Sequence, residues 1–436
     1  MTYDRMPSST LSRFLPALFG AALMGCARTG GPAAHEWYAV YDTIGDTVVV
    51  RTEAGSVWGD TAELVADLRI GEFEGADEYM FGRIRSLAVA PDGCIYVFDS
   101  HAKELRKYGP DGAYLGTFGH EGGGPGEYKR PDAGLAVLPD GRVLLRDPGN
   151  ARISVFAPDG EFLDSWRIRG GFNTSNPLPV DSAGNAYVFL LLNYEGDVTD
   201  WQFGLVRYDS AGNPGDTIAG PKWDFEEPQL VARHVEGDDQ STSVNSVPFS
   251  PQQEWTFSPL GYTVGGVSTR YAFDLFIAPD HTLRIERVNW QPAPVLPNEK
   301  AERERIMTAN MRQTEPGWRW NGPPIPDSKP PYTGFYIGAG GRIWVRLHQE
   351  AYQIEPEAPE RELAPGEIPE QTWIEPVAFD VFEPNGRYLG MVRAPDGFST
   401  YPTPVIHGDT VWAVVRGELE VPYITRFHIE HGHEGT

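Results

Sequence analysis

The chain has 436 residues, of which 40% are hydrophobic and 22% are charged, with 36 Lys and Arg against 61 Asp and Glu. A formal net charge of -25 repels phosphate backbones and anionic membrane surfaces, so we expect no nucleic-acid partner. The 49 glycines and 38 prolines recur between short apolar runs, which predicts many short strands joined by tight turns and argues against disorder. The two cysteines provide no disulfide framework.

The N-terminus has the pattern of an export signal. Arg5 and Arg13 precede an apolar stretch at 14–23, which is too short to span a bilayer but suits the hydrophobic region of a secretory signal. The sequence LMGC, which ends at Cys26, resembles a bacterial lipobox, in which the cysteine is lipidated and becomes the mature N-terminus. An ordinary cleaved signal, with Cys26 as a bystander, is the alternative.

The stretches 84–119 and 132–168 repeat each other at an offset of 48 residues. Each has four apolar runs, with Pro-Asp-Gly after the first and after the third. A four-stranded meander repeated about every 45 residues is typical of a propeller or a solenoid. We predict turns between the first two strands of each repeat at 91–93, 139–141, 181–184, 258–261, 338–341 and 407–409. Turns between the third and fourth strands are predicted at 109–112, 157–160, 209–212, 278–281 and 383–386.

These two series of turns predict six four-stranded antiparallel blades. The last blade ends at the apparent third strand 423–429 and lacks its outermost strand. The strand-like segment 63–70 can supply it, which would hide an exposed edge and close the ring. A hairpin turning at Gly45 and Asp46 would add residues 48–50 to the same blade.

Three segments interrupt the repeat. Residues 221–254 are polar and acidic, and we expect a long excursion before the fourth blade. Residues 298–313 have helix-forming composition with Asn298 as N-cap, and their narrow apolar stripe predicts a short peripheral helix on the outside of the ring. Residues 355–370 are acidic and Pro-rich, which favours an extended, mobile loop within the fifth blade.

Blades one and two resemble the NHL-type six-bladed β-propeller. The run DPGNARI at 147–153 is similar to the NHL turn, in which Asp and Asn close the loop between the second and third strands. Residues 118–127 resemble the linker between two such blades, and further segments are similar to a group of exported bacterial propellers, often lipoproteins, of undefined role. This resemblance implies the fold but no single function, because NHL-type rings include binding platforms, sensors and lyases.

Polar and aromatic residues at the beginnings of the innermost strands are the candidate ligand-binding residues. We expect them to face one mouth of the central channel, where an aromatic share suits the stacking of a ligand. They are Arg85, Asp132, Asn176, Glu254, Trp255, Tyr332 and Tyr401. Trp318 and Trp320, in a Gly/Pro-rich segment, could line a carbohydrate or peptide surface.

Other polar residues have simpler interpretations. Asp99 and Asp147 each end a strand before a turn, where an Asp side chain closes a local hydrogen-bonded loop. Cys94 is expected to pack as a small apolar residue. Six-bladed hydrolases similar to gluconolactonase hold a divalent ion at the axis, but the inner strands at 86–89, 133–137 and 178–180 offer no hard oxygen ligands along their length. We therefore predict no metal and no cofactor, with Ca²⁺ at the axis as the alternative.

The sequence thus predicts an all-β protein with a signal peptide at 1–25, a tether at 26–35, a propeller at 36–430 and a disordered tail at 431–436. We expect a monomeric binding module, exported and lipid-anchored at the periplasmic face or the outer membrane. Its partner would be a peptide, a glycan or a protein, and its only contact with the membrane would be the lipid. A metal-assisted hydrolase or lyase, with its site at the propeller axis, is the alternative function.

Overall fold

The computed structural model describes residues 36–59, 61–169, 173–193, 201–237, 239–356 and 367–431. The predicted signal peptide, the tether with Cys26 and the predicted tail beyond residue 431 lie outside these residues, as does the middle of the predicted acidic loop. Short antiparallel strands dominate the described chain. Its first strands are β1 (Tyr38–Ile44), β2 (Thr47–Ala54) and β3 (Ala62–Ile70).

Two regular four-stranded sheets follow, each a meander in chain order. The first consists of β4 (Ile84–Val89), β5 (Ile95–Asp99), β6 (Glu104–Tyr108) and β7 (Tyr114–Phe118). A linker with a short parallel pair, β8 (His120–Glu121) and β9 (Glu127–Tyr128), leads to the second. The second consists of β10 (Leu135–Val137), β11 (Val143–Asp147), β12 (Arg152–Phe156) and β13 (Phe162–Arg167).

The middle of the chain forms two further sheets separated by a hairpin. One sheet consists of β14 (Ala186–Asn193), β15 (Gln202–Tyr208) and β16 (Pro214–Ala219), and Val180 bridges to its first strand. The predicted polar excursion contains the hairpin β17 (Gln229–Glu236) and β18 (Asp239–Ser246). The next sheet consists of β19 (Gln253–Phe257), β20 (Thr263–Val267), β21 (Ala272–Ala278) and β22 (His281–Arg287).

The helix α1 (Pro297–Thr314) precedes the last two meanders. The first of these consists of β23 (Tyr332–Ile337), β24 (Ile343–Leu347), β27 (Ala378–Phe382) and β28 (Tyr388–Arg393), with the short pair β25 (Tyr352–Gln353) and β26 (Trp373–Ile374) inserted. The second consists of β30 (Val405–His407), β31 (Thr410–Arg416) and β32 (Pro422–Glu430), and β29 (Phe398–Ser399) also pairs with β31. Three-residue 3₁₀ turns lie at Asp77–Tyr79, Pro148–Asn150 and Glu418–Glu420.

The predicted turns are confirmed. In the Pro-Asp-Gly turns, the amide of Gly93 donates to the carbonyl of Ala90, and the amide of Gly141 donates to that of Leu138. The Gly93 backbone has a φ of 86°, a region that glycine adopts without a steric penalty. Since each turn is set by residues adjacent in the chain, the local sequence was sufficient to locate them.

The two strand-end aspartates close loops as predicted. Asp99 and Asp147 are fully buried, and each carboxylate accepts backbone N–H groups from the segment that enters its sheet. The side-chain amide of Asn150 donates to Asp147 and to the carbonyl of Gly122, so it ties the turn to the linker. These contacts leave no free carboxylate at either strand end.

Consecutive sheets pack against each other through continuous apolar clusters. Phe98 and Phe156 belong to the cluster between the first two sheets, and Tyr187 and Phe257 to the one between the third and fourth. Trp412 of the last meander belongs to the cluster that includes residues of the first sheet, so the series closes on itself. Sheets arranged in this way form a β-propeller.

The strand that precedes the first sheet completes the last one, as predicted. β3 pairs antiparallel with β32 from Glu63, opposite Glu430, to Ile70, opposite Ile424. The turn of the N-terminal hairpin was predicted correctly, but the sheet that the hairpin joins was not. β2 pairs in parallel with β22, because buried Val50 packs between that sheet and the sheet that contains Tyr388.

Helix α1 begins one residue earlier than predicted, and Asn298 is not its N-cap. Pro297 occupies the first turn, and the carboxylate of Glu299 accepts the backbone N–H of Leu296 at 3.1 Å. The helix contacts the hairpin of β17 and β18, and three of its residues line a cavity. Met311 is fully buried in that contact.

Trp318 does not line a ligand surface. It is 1% exposed and packs in the same cluster as Met311, and its indole N–H donates to the carbonyl of Val231 at 2.9 Å. Cys94 is buried and unpaired, as expected of a small apolar residue. Among the described helices, none is long and apolar enough to cross a bilayer.

Candidate functional site

A cavity of about 450 Å³ lies between helix α1, the segment that precedes β19, and the inner strands β19 and β23. Cavities of this size accommodate small organic ligands. Its lining includes Phe249, Glu254, Arg303, Ile306, Met307, Tyr332, Thr333, His348 and Glu375. They come from elements that are far apart in the sequence and meet only in the folded protein.

Phe249 forms an aromatic wall of this cavity in an unusual backbone conformation. Its φ is +59°, a region that bulky residues rarely adopt and in which backbone strain is stored. The guanidinium of Arg303 lies 5.5 Å from the ring centroid and the ammonium of Lys329 lies 4.9 Å from it. The strained backbone thus places the ring in contact with two cations, where each cation–π contact is favourable.

Glu254 is one of two acidic residues in the described lining of the cavity, and its carboxyl group forms no hydrogen bond or ion pair with any described residue. Its Oε2 would lie 3.8 Å from a Cβ at Gly334 on the neighbouring strand, so the carboxylate faces β23. Burial and the adjacent charge of Glu227 raise the pKa of Glu254 to about 8. A strongly shifted carboxyl group in a cavity is typical of functional sites.

Arg303 contributes a positively charged guanidinium to the same cavity. Its Nη1 donates to the side-chain carbonyl of Gln371 at 2.6 Å, whereas its Nε is buried and has no acceptor within the described chain. No carboxylate of the described residues forms an ion pair with it. Its guanidinium, which lines the cavity, therefore retains donor capacity that no described residue uses.

His348 and Glu375 form an oriented pair on a third wall. The Nδ1 of His348 lies 3.0 Å from Oε2 of Glu375, whose carboxylate also accepts the backbone N–H of Gln349 and contacts the ammonium of Lys329. Burial alone would raise the pKa of Glu375, but these contacts outweigh it and hold the pKa at about 2. Glu375 is therefore a carboxylate that fixes the imidazole, and Lys329 is held by fully buried Glu299 as well.

Two of the predicted site residues meet in this cavity, namely Glu254 and Tyr332. Tyr332 is buried, and its hydroxyl donates to the carbonyl of Ala272 at 2.8 Å. Burial, with the charge of Glu254, raises its pKa. Tyr332 therefore provides an aromatic wall, while its hydroxyl is occupied by the backbone.

Arg85 and Tyr401 form a separate pair. The guanidinium of Arg85 lies 5.8 Å from the centroid of the Tyr401 ring, which is a cation–π distance. The Tyr401 hydroxyl is buried and has no hydrogen-bond partner among the described residues. Next to it in the chain, Thr400 is hydrogen-bonded to Tyr336, whose pKa is raised by burial and by the charge of Glu254.

The remaining predicted site residues have other surroundings. Asp132 is fully buried, forms an ion pair with Arg146 and accepts the backbone N–H of Thr174, so its carboxylate is already held by the protein itself. Asn176 is exposed, and its backbone N–H donates to the hydroxyl of Thr174. Trp255 points to the other face of β19 and packs in the cluster between the third and fourth sheets.

Sequence reasoning missed Phe249, Arg303, His348 and Glu375. Phe249 and Arg303 lie in segments that we expected to be a polar excursion and a peripheral helix. His348 had a detectable signal, because it follows the end of β24, where the equivalent strands of the first two sheets end in Asp. Among the described residues, no group of three or more His, Cys, Asp or Glu is arranged to hold a metal ion.

No protein-family model and no curated protein sequence matches this chain. Solved structures do resemble it. A member of the DUF4221 family from Bacteroides vulgatus is 11% identical, with a TM-score of 0.52, and the match covers 85% of this chain and 99% of that one. A Bacteroides fragilis protein classed as a candidate exported protein is 12% identical, with a TM-score of 0.45 and coverage of 89% and 100%.

Regucalcin, a calcium-binding protein of Agrobacterium tumefaciens, is 11% identical, with a TM-score of 0.37, and the match covers 85% of this chain and 96% of that one. Identities this low carry information about the fold and not about the activity. The sheet arrangement and the DUF4221 structure therefore agree on the architecture: this chain is a β-propeller.

Proposed function

We propose that this protein is an exported, membrane-tethered, NHL-like six-bladed propeller that binds a ligand in the cavity beneath helix α1. The ligand would be a peptide, a glycan or a segment of a partner protein. The observation that carries this proposal is the cavity itself, which combines aromatic walls with a carboxyl group and a guanidinium that have no charged partner. Polar groups of this kind in a concave site orient a bound ligand.

Several features support the count of six blades. Six meanders can be counted along the described chain, each beginning with a strand or bridge, from β4 in the first to β30 in the last. The cluster that contains Trp412 and Val97 joins the last meander to the first. The hydrogen-bonded loop of Asp147 and Asn150 supports the NHL assignment of the second blade.

A cavity-filling variant tests the binding function. Thr333 lines the cavity and is exposed, so Thr333→Trp should occupy the space without disturbing the core. We expect peptide or oligosaccharide pools to yield a bound species by native mass spectrometry with the unaltered protein and none with the variant. Thr117→Trp, at an exposed position on β7, is the matched control. Equal binding to all three proteins would exclude this cavity as the site.

The lipid anchor is tested separately. If Cys26 is acylated, Cys26→Ser should move the protein from the membrane fraction to the soluble fraction of a bacterial host, because a lipid chain is then its only attachment. Fractionation and immunoblotting measure this. Cys94→Ser is the control, since Cys94 is buried within the first sheet pair and should leave membrane association unchanged. Retention of the Cys26 variant in membranes would refute the anchor.

A further inference from the structure

The cavity contains an acidic and a basic side chain that do not pair with each other. Glu254 on β19 and Arg303 on α1 both line it, yet no ion pair within 4.0 Å joins them or links either one to another described residue. An enclosed charge without a partner is costly, so proteins usually pair such groups. Here both residues line the same space, and neither is neutralised by a described residue.

The other charges of the cavity are already satisfied. Glu375 is bonded to His348 and to the backbone of Gln349, and Lys329 is held between Glu299 and Glu375 beneath the Phe249 ring. A bound ion would gain little from these groups. Among the ionisable groups of the described lining, the carboxyl group of Glu254 has no hydrogen bond or ion pair to a described residue, and the Nε of Arg303 has no acceptor.

A ligand with one charge would match only half of this arrangement. A simple anion would satisfy Arg303 and leave Glu254 without a partner, and a simple amine would do the reverse. A neutral glycan has no charged group to form an ion pair with either Glu254 or Arg303. Phe249, Ile306 and Met307 add an apolar surface to the same cavity. The cavity thus has a place for a cation, a place for an anion and an apolar wall.

Building on the proposed binding function, we propose that the ligand is a zwitterion, a free amino acid or short peptide with an apolar side chain, whose ammonium group pairs with Glu254 and whose carboxylate pairs with Arg303. The guanidinium donates hydrogen bonds to the ligand carboxylate, for which it is well suited. The ligand side chain packs against Phe249 and Met307.

Three pools of apolar dipeptides test this inference. One pool has free ends, one is N-acetylated and one is C-amidated, so that the second lacks the cation and the third lacks the anion. We expect the free pool to bind, as measured by native mass spectrometry and calorimetry, and each blocked pool to bind about tenfold more weakly or worse, because each loses one charge-assisted contact. Equal binding of the free and blocked pools would overturn the inference.

Two variants assign each contact. Glu254→Gln should weaken the free pool by about tenfold and leave the N-acetylated pool unchanged, because that pool has no ammonium group to lose. Arg303→Gln should likewise weaken the free pool by about tenfold and leave the C-amidated pool unchanged, because that pool has no carboxylate to lose. Arg305→Gln, exposed on the same helix, is the control. If both variants bind every pool as the unaltered protein does, neither residue contacts the termini.

Proton release provides a readout that a purely structural role would not change. The groups that face Glu254 are Glu227, Tyr332, Tyr336, Arg303, His348 and Glu375. Because an ammonium group favours the ionised carboxylate, binding at pH 7 should release about one proton per ligand. Calorimetry in two buffers of different ionisation enthalpy measures this release. Its absence, together with tight binding, would show that the ammonium group does not contact Glu254.

Failure of this inference differs from failure of the binding function. If the dipeptide pools do not bind but oligosaccharides do, and Thr333→Trp abolishes that binding, the cavity is a binding site for another class of ligand. In that case the zwitterion inference is wrong and the proposed function stands. If Thr333→Trp changes no binding at all, both are wrong.

Discussion

At the scale of single residues, the interior of this propeller depends on buried polar groups with assigned partners. Asp380 is fully buried between two sheets and accepts hydrogen bonds from the hydroxyls of Tyr271 and Tyr388 and from the guanidinium of Arg287. The pKa of Tyr271 is raised, first by burial and then by the Asp380 charge. The carboxylate thus links two sheets through four side chains.

Replacing Asp380 should therefore be severely destabilising. Asp380→Ala leaves the charge of Arg287 and two phenol hydroxyls without their acceptor, and we expect the free energy of unfolding to fall by about 3–5 kcal/mol. Urea denaturation followed by tryptophan fluorescence measures this loss. Glu121→Ala removes an exposed ion pair with Lys103 and should change stability by only about 0.5 kcal/mol. A loss at Asp380 as small as this would contradict the network.

The raised pKa of Glu254 predicts a pH dependence of stability. In the unfolded chain a glutamate ionises near its ordinary value of 4.5, whereas the folded protein retains the proton up to about pH 8. The folded state therefore binds the extra proton between these values, and stability declines as pH rises through this window. The Glu254→Gln variant lacks this decline. Its free energy of unfolding, minus that of the unaltered protein, should therefore rise by about 1 kcal/mol per pH unit between pH 5 and 8.

Thermal denaturation of both proteins at pH 5.0, 6.5 and 8.0 measures this difference. The gap between the two melting temperatures should widen with pH, and it should stop widening above pH 8, where Glu254 is ionised in both states. A constant gap would mean that Glu254 ionises in the folded protein as it does in solution.

At the scale of elements, helix α1 is held over the cavity by its own buried acids. The carboxylate of Glu302 is 3% exposed and accepts the backbone N–H and hydroxyl of Thr372 and the backbone N–H of Trp373. The helix also contacts β17 and β18. The cavity therefore depends on a docked helix as well as on the propeller strands.

Removal of the Glu302 contacts should loosen α1 without unfolding the propeller. Glu302→Ala leaves three donors near residue 372 without their acceptor, at a cost of about 3 kcal/mol. We expect hydrogen exchange to become faster in α1 and β17 while the strands β4 to β7 keep their protection. Glu304→Ala, at an exposed position on the same helix, is the control. Uniformly faster exchange in every strand would indicate that α1 and the ring unfold together.

The elements also show what local sequence can and cannot specify. The Pro-Asp-Gly turns and the Asp147 loop were predictable because the interacting atoms lie within a few residues of each other or follow a repeated spacing. The hairpin of β1 and β2 was predictable, but its partner β22 was not, because alternating apolar residues define a face and leave the neighbouring edge open. The buried state of Trp318 depends on Met311 and Leu230, which its Gly/Pro-rich flanks do not reveal.

The candidate site was predictable only where it uses inner strands. Glu254 and Tyr332 begin β19 and β23, so counting repeats located them. Arg303 and Phe249 enter the cavity from interruptions of the repeat, and a pattern that defines blades gives no information about how an insertion folds back on them. Asp132 precedes β10 by three residues, and Arg146 on β11 forms an ion pair with it, a pairing that is visible only in the folded protein.

At the scale of the whole molecule, the propeller is closed by strands from opposite ends of the described chain. β3 and β32 pair over nearly their whole length, with Val65 opposite His428, and β3 also continues alongside β28. Pairing the last meander with a strand from the beginning of the chain removes an open edge, which would otherwise invite association with other chains. This pairing also joins residues that are very far apart in the sequence, so forming it costs chain entropy.

A disulfide across this closure tests its register and its contribution to stability. In a chain with Cys26→Ser, the pair Val65→Cys and His428→Cys places two thiols on opposed, half-buried positions. Antiparallel partners lie within the distance that a disulfide spans, so mild oxidation should form the bond, detected by mass spectrometry. Because it restricts the unfolded chain over a very long loop, the oxidised form should be more stable than its reduced form by about 2–4 kcal/mol. Thiols that stay free after oxidation would show that β3 does not close the last sheet in this register.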